Sequence, residues 1–404
     1  MSDAASVTEF GETDAPGMPA HLYFHVPFCR SKCSYCDFNS FAGAGPAEVA
    51  AVFTGMKAEV RRWAYASLPG VIETVYVGGG TPSLHAEHVG ELLEYVASEL
   101  TVRTDAEITV EANPDSLSPA ALDALIRGGA NRISVGVQAF DDRVLKLLGR
   151  RHDARQARSA LSAVREAEVE LSVDLICGVP GQSAASWAES LEEALDSGSQ
   201  HLSVYPLAVE DGTPLAVAVA AGPMPEPDPD VAAEMMLVAE KRLAEAGIVR
   251  YEVANYAAPG HESRHNSAYW TGRSYVGTGP GAHGMLTPRV ASVVGLLLAN
   301  GANTPADVAR VRYANECQVD AWLTGSIGDV ELLTATEAAR EDVMLGMRLV
   351  RGVLAAQVSA AGLDDVLRSL AVDGLTALVD GRWCTTQRGW LLGNEVFGRI
   401  WAGE

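Results

Sequence analysis

Cys29, Cys33 and Cys36 form a C-x3-C-x2-C spacing on one short stretch of the chain. Three thiolates on such a loop can hold three irons of a four-iron cluster and leave the fourth iron without a protein ligand. An open position on a soft metal centre is what a reactive cofactor needs. Zinc fits less well, because a closed structural zinc site takes four ligands, usually in two C-x2-C pairs. His25 is the nearest candidate for a fourth ligand, but it precedes the loop on an apolar, strand-like run. Cys177, Cys317 and Cys384 are scattered with no disulfide-like spacing. That is the usage of a reducing compartment, and it predicts a cytoplasmic protein.

The elements that must position this loop are legible as a repeat. Short β-branched or apolar runs fall at 21–26, 74–77, 107–111, 132–137, 171–176 and 201–205. Between them lie stretches with apolar residues at i, i+3, i+4 spacing, at 47–66, 89–100, 119–127, 154–168 and 187–194. Six β–α units predict an α/β fold with a parallel sheet and helices outside. A partial (β/α)6 barrel and an open doubly wound sheet share this pattern. In both, ligands collect at the carboxyl ends of the strands.

Each of those ends carries something unusual. The first carries the cysteine loop. The second ends in Gly78-Gly79-Gly80-Thr81-Pro82, where the backbone can approach a ligand and offer its N–H groups; a tight loop alone would read the same way. The third ends in Glu111-Ala-Asn-Pro114, and a carboxylate ending a buried strand is costly unless paired. The fourth gives Gly136-Val-Gln138, with Arg150 twelve residues later; the fifth gives Val173-Asp174; the sixth leads to Ala208. Gln138 and Asp174, in otherwise apolar strands, need hydrogen-bond partners, which a bound nucleoside or an internal network would supply.

The chain has 404 residues, 48% hydrophobic, and a net charge of −22. This length supports one large domain and a smaller one. The charge argues against nucleic acid and anionic membranes as partners, and no apolar run is long enough for an integral membrane segment. Residues 1–19 read as a flexible acidic tail without the features of a signal peptide. The large domain spans 20–284, a mixed connecting segment 285–335, and a compact region 336–404. This last region has helices followed by two strand-like runs around Asp380-Gly381, a turn signal. It reads as a small α+β winged-helix-like domain, packing or docking a partner in the absence of basic clusters.

With Tyr35 before the third cysteine, the C-x3-C-x2-C string resembles the signature of the radical S-adenosylmethionine family. The longer string Tyr23-x-His25-x-Pro27-Phe28-Cys29 resembles its coproporphyrinogen III dehydrogenase-like branch, and Cys36-Asp37-Phe38 the heme-chaperone subgroup. Arg264-His265-Asn266-Ser-Ala-Tyr269-Trp270 is similar to that subgroup's HNxxYW motif. The resemblance favours the partial barrel. It implies a [4Fe–4S] cluster on Cys29, Cys33 and Cys36. It implies S-adenosylmethionine on Tyr23, Gly79, Gly80, Thr81, Glu111, Gln138, Arg150, Asp174 and Ala208. It also implies heme at His265, with His261 and His283 as competitors. The partners implied are heme, a heme-acceptor protein, and an electron donor such as flavodoxin or ferredoxin.

Two departures separate the chain from the branch's catalytic members. Those carry a further Cys where Phe38 stands, and a longer N-terminal segment. The expectation is therefore a heme chaperone on a radical S-adenosylmethionine scaffold. The alternative is a dehydrogenase that decarboxylates propionates to vinyls in porphyrin biosynthesis, with catalytic residues that the sequence does not name.

Overall fold

The computed structural model describes residues 18–66, 68, 70–295 and 307–403. Most of the expected tail, residues 1–17, lies outside them. Six parallel strands form the frame: β1 (His21–Val26), β2 (Ile72–Gly79), β3 (Val102–Ala112), β4 (Arg132–Gln138), β5 (Glu170–Cys177) and β6 (His201–Pro206). Each pairs in parallel with the next in sequence order. A doubly wound sheet would reverse its strand order at a switch point, and this one does not. Right-handed crossovers then place every connecting helix on one face, and the sheet curls with the other face inside.

The residues explain the curl. Val75, Val77, Val110, Ile133, Val135, Leu171, Val173, Leu202 and Val204 are buried in the hydrophobic core. The alternate positions are polar: Thr74 and Tyr76, Glu107, Thr109 and Glu111, Arg132 and Ser134, Ser172 and Asp174, His201 and Ser203. Parallel strands buried on both faces usually read as continuous apolar runs. Here one face is apolar and one is polar, so the polar face lines an interior that takes ligands.

The sheet runs on past the frame. Beside β1 come Tyr275–Thr278, in parallel, then His283–Leu286, Val308–Asn315 and Ile327–Thr334, antiparallel. Beside β6 come Asn255–Ala257 and Val249–Arg250. The segment 285–335, expected as a connection, thus contributes two full strands to the main sheet. Val308–Asn315 alternates Val311 and Tyr313, both buried, with Arg310 and Arg312, the period of a half-buried antiparallel strand.

The C-terminal unit has a core of its own, including Met347, Val358, Leu367, Leu370 and Ile400. Its helices pack with a three-stranded sheet, Val353–Leu354 joined to the hairpin Thr376–Val379 and Arg382–Thr385. Asp380 and Gly381 take φ values of 48° and 77°, the left-handed pair that a two-residue hairpin turn requires. This α+β unit agrees with the expected winged-helix-like arrangement. Arg310 ties it to the sheet through Glu341 at 2.5 Å, and Arg312 reaches the same carboxylate at 2.6 Å. Among the described residues no helix is long and apolar enough to cross a membrane.

Candidate functional site

The cysteine loop leaves β1 through Phe28–Cys29, which pairs with Phe41–Ala42 on the loop's return. The glycine run at the end of β2 holds its root. Gly80 N–H donates to the Val26 carbonyl and Thr81 N–H to the Phe28 carbonyl, both at 2.8 Å. A Cβ on Gly80 would stand 2.6 Å from the Phe28 carbonyl oxygen, and one on Gly78 3.0 Å from the Glu111 carboxyl group. Gly79, at φ +109°, leaves no room for a Cβ against the His25 ring. The glycines therefore let β2 close on the loop and on Glu111, a packing duty beside any ligand contact.

Other contacts staple the loop. Ser34 N–H donates to the Leu148 carbonyl at 3.1 Å, and Leu215 N–H to the Ser34 carbonyl at 2.7 Å. Asn39 donates to the carbonyls of Pro280 and Cys317, each at 3.1 Å. His25 binds the Tyr23 hydroxyl through Nδ1 at 2.9 Å and the Asn39 carbonyl through Nε2 at 2.8 Å. Both of its ring nitrogens are used, so it is not a fourth metal ligand.

Cys29, Cys33 and Cys36 are free and half-buried. They face one cavity of about 380 Å³, within the usual range for small-molecule sites. Thr81 Oγ1 lies 3.5 Å from the Cys29 sulfur, and Arg150 Nη1 3.5 Å from that of Cys33. Among the described residues no three His, Cys, Asp or Glu side chains converge on a single metal ion. A mononuclear zinc site needs such convergence; the cubane does not, because each thiolate takes a different iron. The donor set fits the cluster.

Opposite the thiols stand two carboxylates. Glu111 accepts from the Tyr76 hydroxyl at 2.7 Å and from Gly79 N–H at 3.1 Å. Burial nevertheless pushes it up to about 7. Asp174 accepts from the Ser134 hydroxyl at 3.2 Å, and burial pushes it up to about 6. Arg150 donates to Asn113 Oδ1 and to the Gly136 carbonyl, both at 2.6 Å. Gln138 sits at φ 68°, a strained left-handed position for a residue with a side chain; such strain concentrates where ligands are held. Gly79, Gly80, Thr81, Glu111, Gln138, Arg150, Asp174 and Ala208 all line the cavity with the three cysteines. Tyr23 is not among the lining residues: it stands in register with Tyr76, stacked on that ring at 6.1 Å, and its hydroxyl bonds His25.

His265 is placed elsewhere. It is buried at the floor of the barrel on the short helix Arg264–Trp270. Its Nδ1 meets Thr74 Oγ1 at 2.7 Å and its Nε2 the Tyr269 hydroxyl at 2.8 Å. Its ring stacks on Tyr76 at 5.1 Å, and burial holds it neutral, well below its ordinary value. An axial ligand needs a free ring nitrogen and room for a macrocycle, and His265 has neither. Its neighbour Asn266 lines the cavity instead. Trp270 points the other way, with Arg348 of the C-terminal unit 4.9 Å over its ring. The HNxxYW-like string thus seals the floor and joins the two units. His261 pairs with Glu170 at 3.1 Å, and exposed His283 belongs to an added strand away from the cavity.

Sequence reasoning missed the lower wall, Thr109, Arg132, Ser172 and His201, and its upper neighbours Asn113, Ser134 and Ser203. The signal was present as polar residues at every second position of strands that should be apolar throughout.

The model of the Radical SAM superfamily matches residues 23–194, and that of the HemN C-terminal domain residues 333–392. A protein named heme chaperone HemW from Mycobacterium tuberculosis is 37% identical over 393 residues, 96% of each chain. The chain belongs to the HemW family. A HemW from Bacillus subtilis is 33% identical and covers 93% of this chain and 97% of its own. Among solved structures, the coproporphyrinogen III oxidase HemN of Escherichia coli, described as a radical SAM enzyme, superposes with a TM-score of 0.75. The match covers 95% of this chain and 90% of that one. At 22% identity this likeness speaks for the fold alone.

Proposed function

We propose that this protein is a cytoplasmic heme chaperone, which binds heme and passes it to an acceptor protein. In this reading Cys29, Cys33 and Cys36 hold a [4Fe–4S] cluster. Gly79, Gly80, Thr81, Glu111, Gln138, Arg150, Asp174 and Ala208 hold S-adenosylmethionine, with Tyr23 backing the site beside Tyr76. The observation that carries it is the near full-length match to chains named heme chaperone. The cavity mouth supports it. Phe38 is 56% exposed and Tyr205 43%, and both border the cavity beside Leu207. Flat aromatic and apolar surface in that place suits a macrocycle face.

The cluster supplies one-electron chemistry when bound, fed by a donor such as flavodoxin or ferredoxin. The chain's own residues shape the site around it. Arg150 sets a fixed positive charge beside Cys33. Glu111 and Asp174 offer carboxylates to a cationic ligand. Phe38 puts an inert ring where the related dehydrogenases carry a thiol, so the protein lacks that group at the mouth.

The test is one anaerobic preparation with two readouts. Hemin added to the reconstituted protein is expected to give a saturable Soret band. Coproporphyrinogen III with S-adenosylmethionine and a reductant is expected to go unconverted. Turnover without heme binding would overturn the proposal in favour of the dehydrogenase.

A further inference from the structure

The cavity continues below Glu111 and Asp174. Toward the amino ends of the strands it is lined by Thr109, Arg132, Ser172, His201, Ser263 and Asn266. Thr109 and Arg132 are register partners, two residues below the pair Glu111 and Ser134. This floor is therefore about 7 Å deeper, at the rise of a β-strand.

Arg132 is the anomaly. Its side chain is 4% exposed. Its Nη2 donates to Glu170 Oε1 at 2.6 Å and to the His261 carbonyl at 3.0 Å. Its Nε and Nη1 have no hydrogen-bond partner among the described residues, and neither has the Thr109 hydroxyl. Native proteins leave few buried polar groups unpaired, and the cost is greatest for charged ones.

The surroundings do not absorb these donors. Glu107, 3.5 Å from Nη2, is spent on the N–H groups of Arg264 and His265, both at 2.9 Å. Glu170 is shared between Nη2 and His261 Nδ1. Ser172 bonds His201 Nδ1 at 2.7 Å, and His201 Nε2 bonds the Tyr251 hydroxyl at 2.9 Å; burial keeps that histidine neutral. The guanidinium of Arg264 meets only the carbonyls of Asp105 and Glu73. Arg132 and Arg264 therefore balance Glu107 and Glu170, and the floor is neutral overall. What remains unmatched is donor capacity on a fixed positive charge.

We infer that the floor is a binding subsite for a carboxylate, taken by Arg132 through Nε or Nη1 and by the Thr109 hydroxyl. An ionised carboxylate takes the open N–H groups and the hydroxyl in short, charge-assisted hydrogen bonds, where a neutral acceptor makes weaker ones. The inference rests on the reading of the cavity as the ligand site. Two molecules of that reading carry carboxylates: the propionates of heme and the amino-acid end of S-adenosylmethionine.

Acetate is the probe, titrated into the cluster-loaded protein and followed by saturation-transfer NMR. Binding to the wild type is expected, with acetamide showing none. Arg132→Gln should weaken it at least ~10-fold. Thr109→Val, matched in shape, keeps β3 packed and should weaken it ~3-fold. Absence of saturable acetate binding, or equal binding in both variants at unchanged iron content and melting temperature, overturns the subsite. Hemin against its dimethyl ester, and S-adenosylmethionine against its decarboxylated form, then identify the source. The acid that loses its preference in Arg132→Gln is the one that reaches the floor. If the wild type binds neither molecule, the reading of the cavity falls, while acetate still decides the floor.

Discussion

The two ends of the barrel are made from the same strands and differ in what their side chains have left to give. At the carboxyl end, three thiols stand half-buried and free around the cavity, while the backbone around them is held at many points. At the amino end, His21, Thr74, His265 and Tyr269 form a chain of hydrogen bonds of 2.7–2.9 Å that engages both ring nitrogens of His265. Both ends carry motifs that chemistry could use. Only the first keeps the reactive atoms of its motif open to a ligand; at the second the open groups belong to Arg132 and Thr109, outside the motif. The second has converted its histidine into structure, linking β2, the floor and the helix that meets the C-terminal unit. A motif's residue types advertise chemistry; the bonds those residues already make decide whether it is available.

The largest effect is expected at the open end. Cys29→Ala, Cys33→Ala and Cys36→Ala should each abolish the roughly four irons of the reconstituted protein, as read by iron and sulfide analysis. Changing Cys177, Cys317 or Cys384 to Ala should leave the iron in place. A full complement in any of the first three variants would break the comparison at its strongest point.

Next comes the floor. His265→Ala removes a ring whose two nitrogens and one face are engaged, and leaves Thr74 and Tyr269 without it. A loss of ~3 kcal/mol in denaturant unfolding is expected, with iron content unchanged in the folded fraction. A variant as stable as the wild type would mean that the floor network is not structural.

A smaller effect is expected at the glycine run, at the root of the cysteine loop. Gly80→Ala forces a Cβ against the Phe28 backbone and should cost ~1–3 kcal/mol, together with part of the cluster occupancy. Unchanged iron and stability would show that the root of the loop can yield.

The smallest and most diagnostic effect is in pH. Glu111 is raised from 4.5 to about 7 and Asp174 from 3.8 to about 6, both mainly by burial. The folded state thus holds protons that the unfolded chain releases. Their contribution to stability is complete below pH about 4 and is lost as pH rises through about 6 to 7. A cationic ligand prefers the ionised carboxylates, so the affinity for S-adenosylmethionine should rise over that window. Glu111→Gln should flatten the rise. A pH-independent affinity in the wild type would mean that these carboxylates do not face the ligand.

Much of this was legible in the residues. The C-x3-C-x2-C spacing, the six β–α units and the Asp380-Gly381 turn are local signals, and each reports a local geometry. The strand-end series placed eight side chains or backbones on one cavity, because parallel strands bring their carboxyl ends together. Tyr23 stands behind the ring of Tyr76, its partner in register, and bonds His25. His265 escaped because its bond to Thr74 depends on packing across 191 residues of chain, which no spacing encodes, although its i,i+4 partner Tyr269 was there to read. The strands of 308–334 escaped because they pair antiparallel outside the β–α repeat, although the alternation of Val311 and Tyr313 with arginines was there to read. Arg132 opens β4 rather than closing it, so attention to strand ends passed over it.

The most direct test of the contrast between the open and the closed end is a hemin titration of His265→Ala against the wild type, at matched folded fraction. The account predicts a Soret band of the same position and stoichiometry in both, with the variant less stable. Loss of the band at an unchanged melting temperature would contradict it and return His265 to the iron.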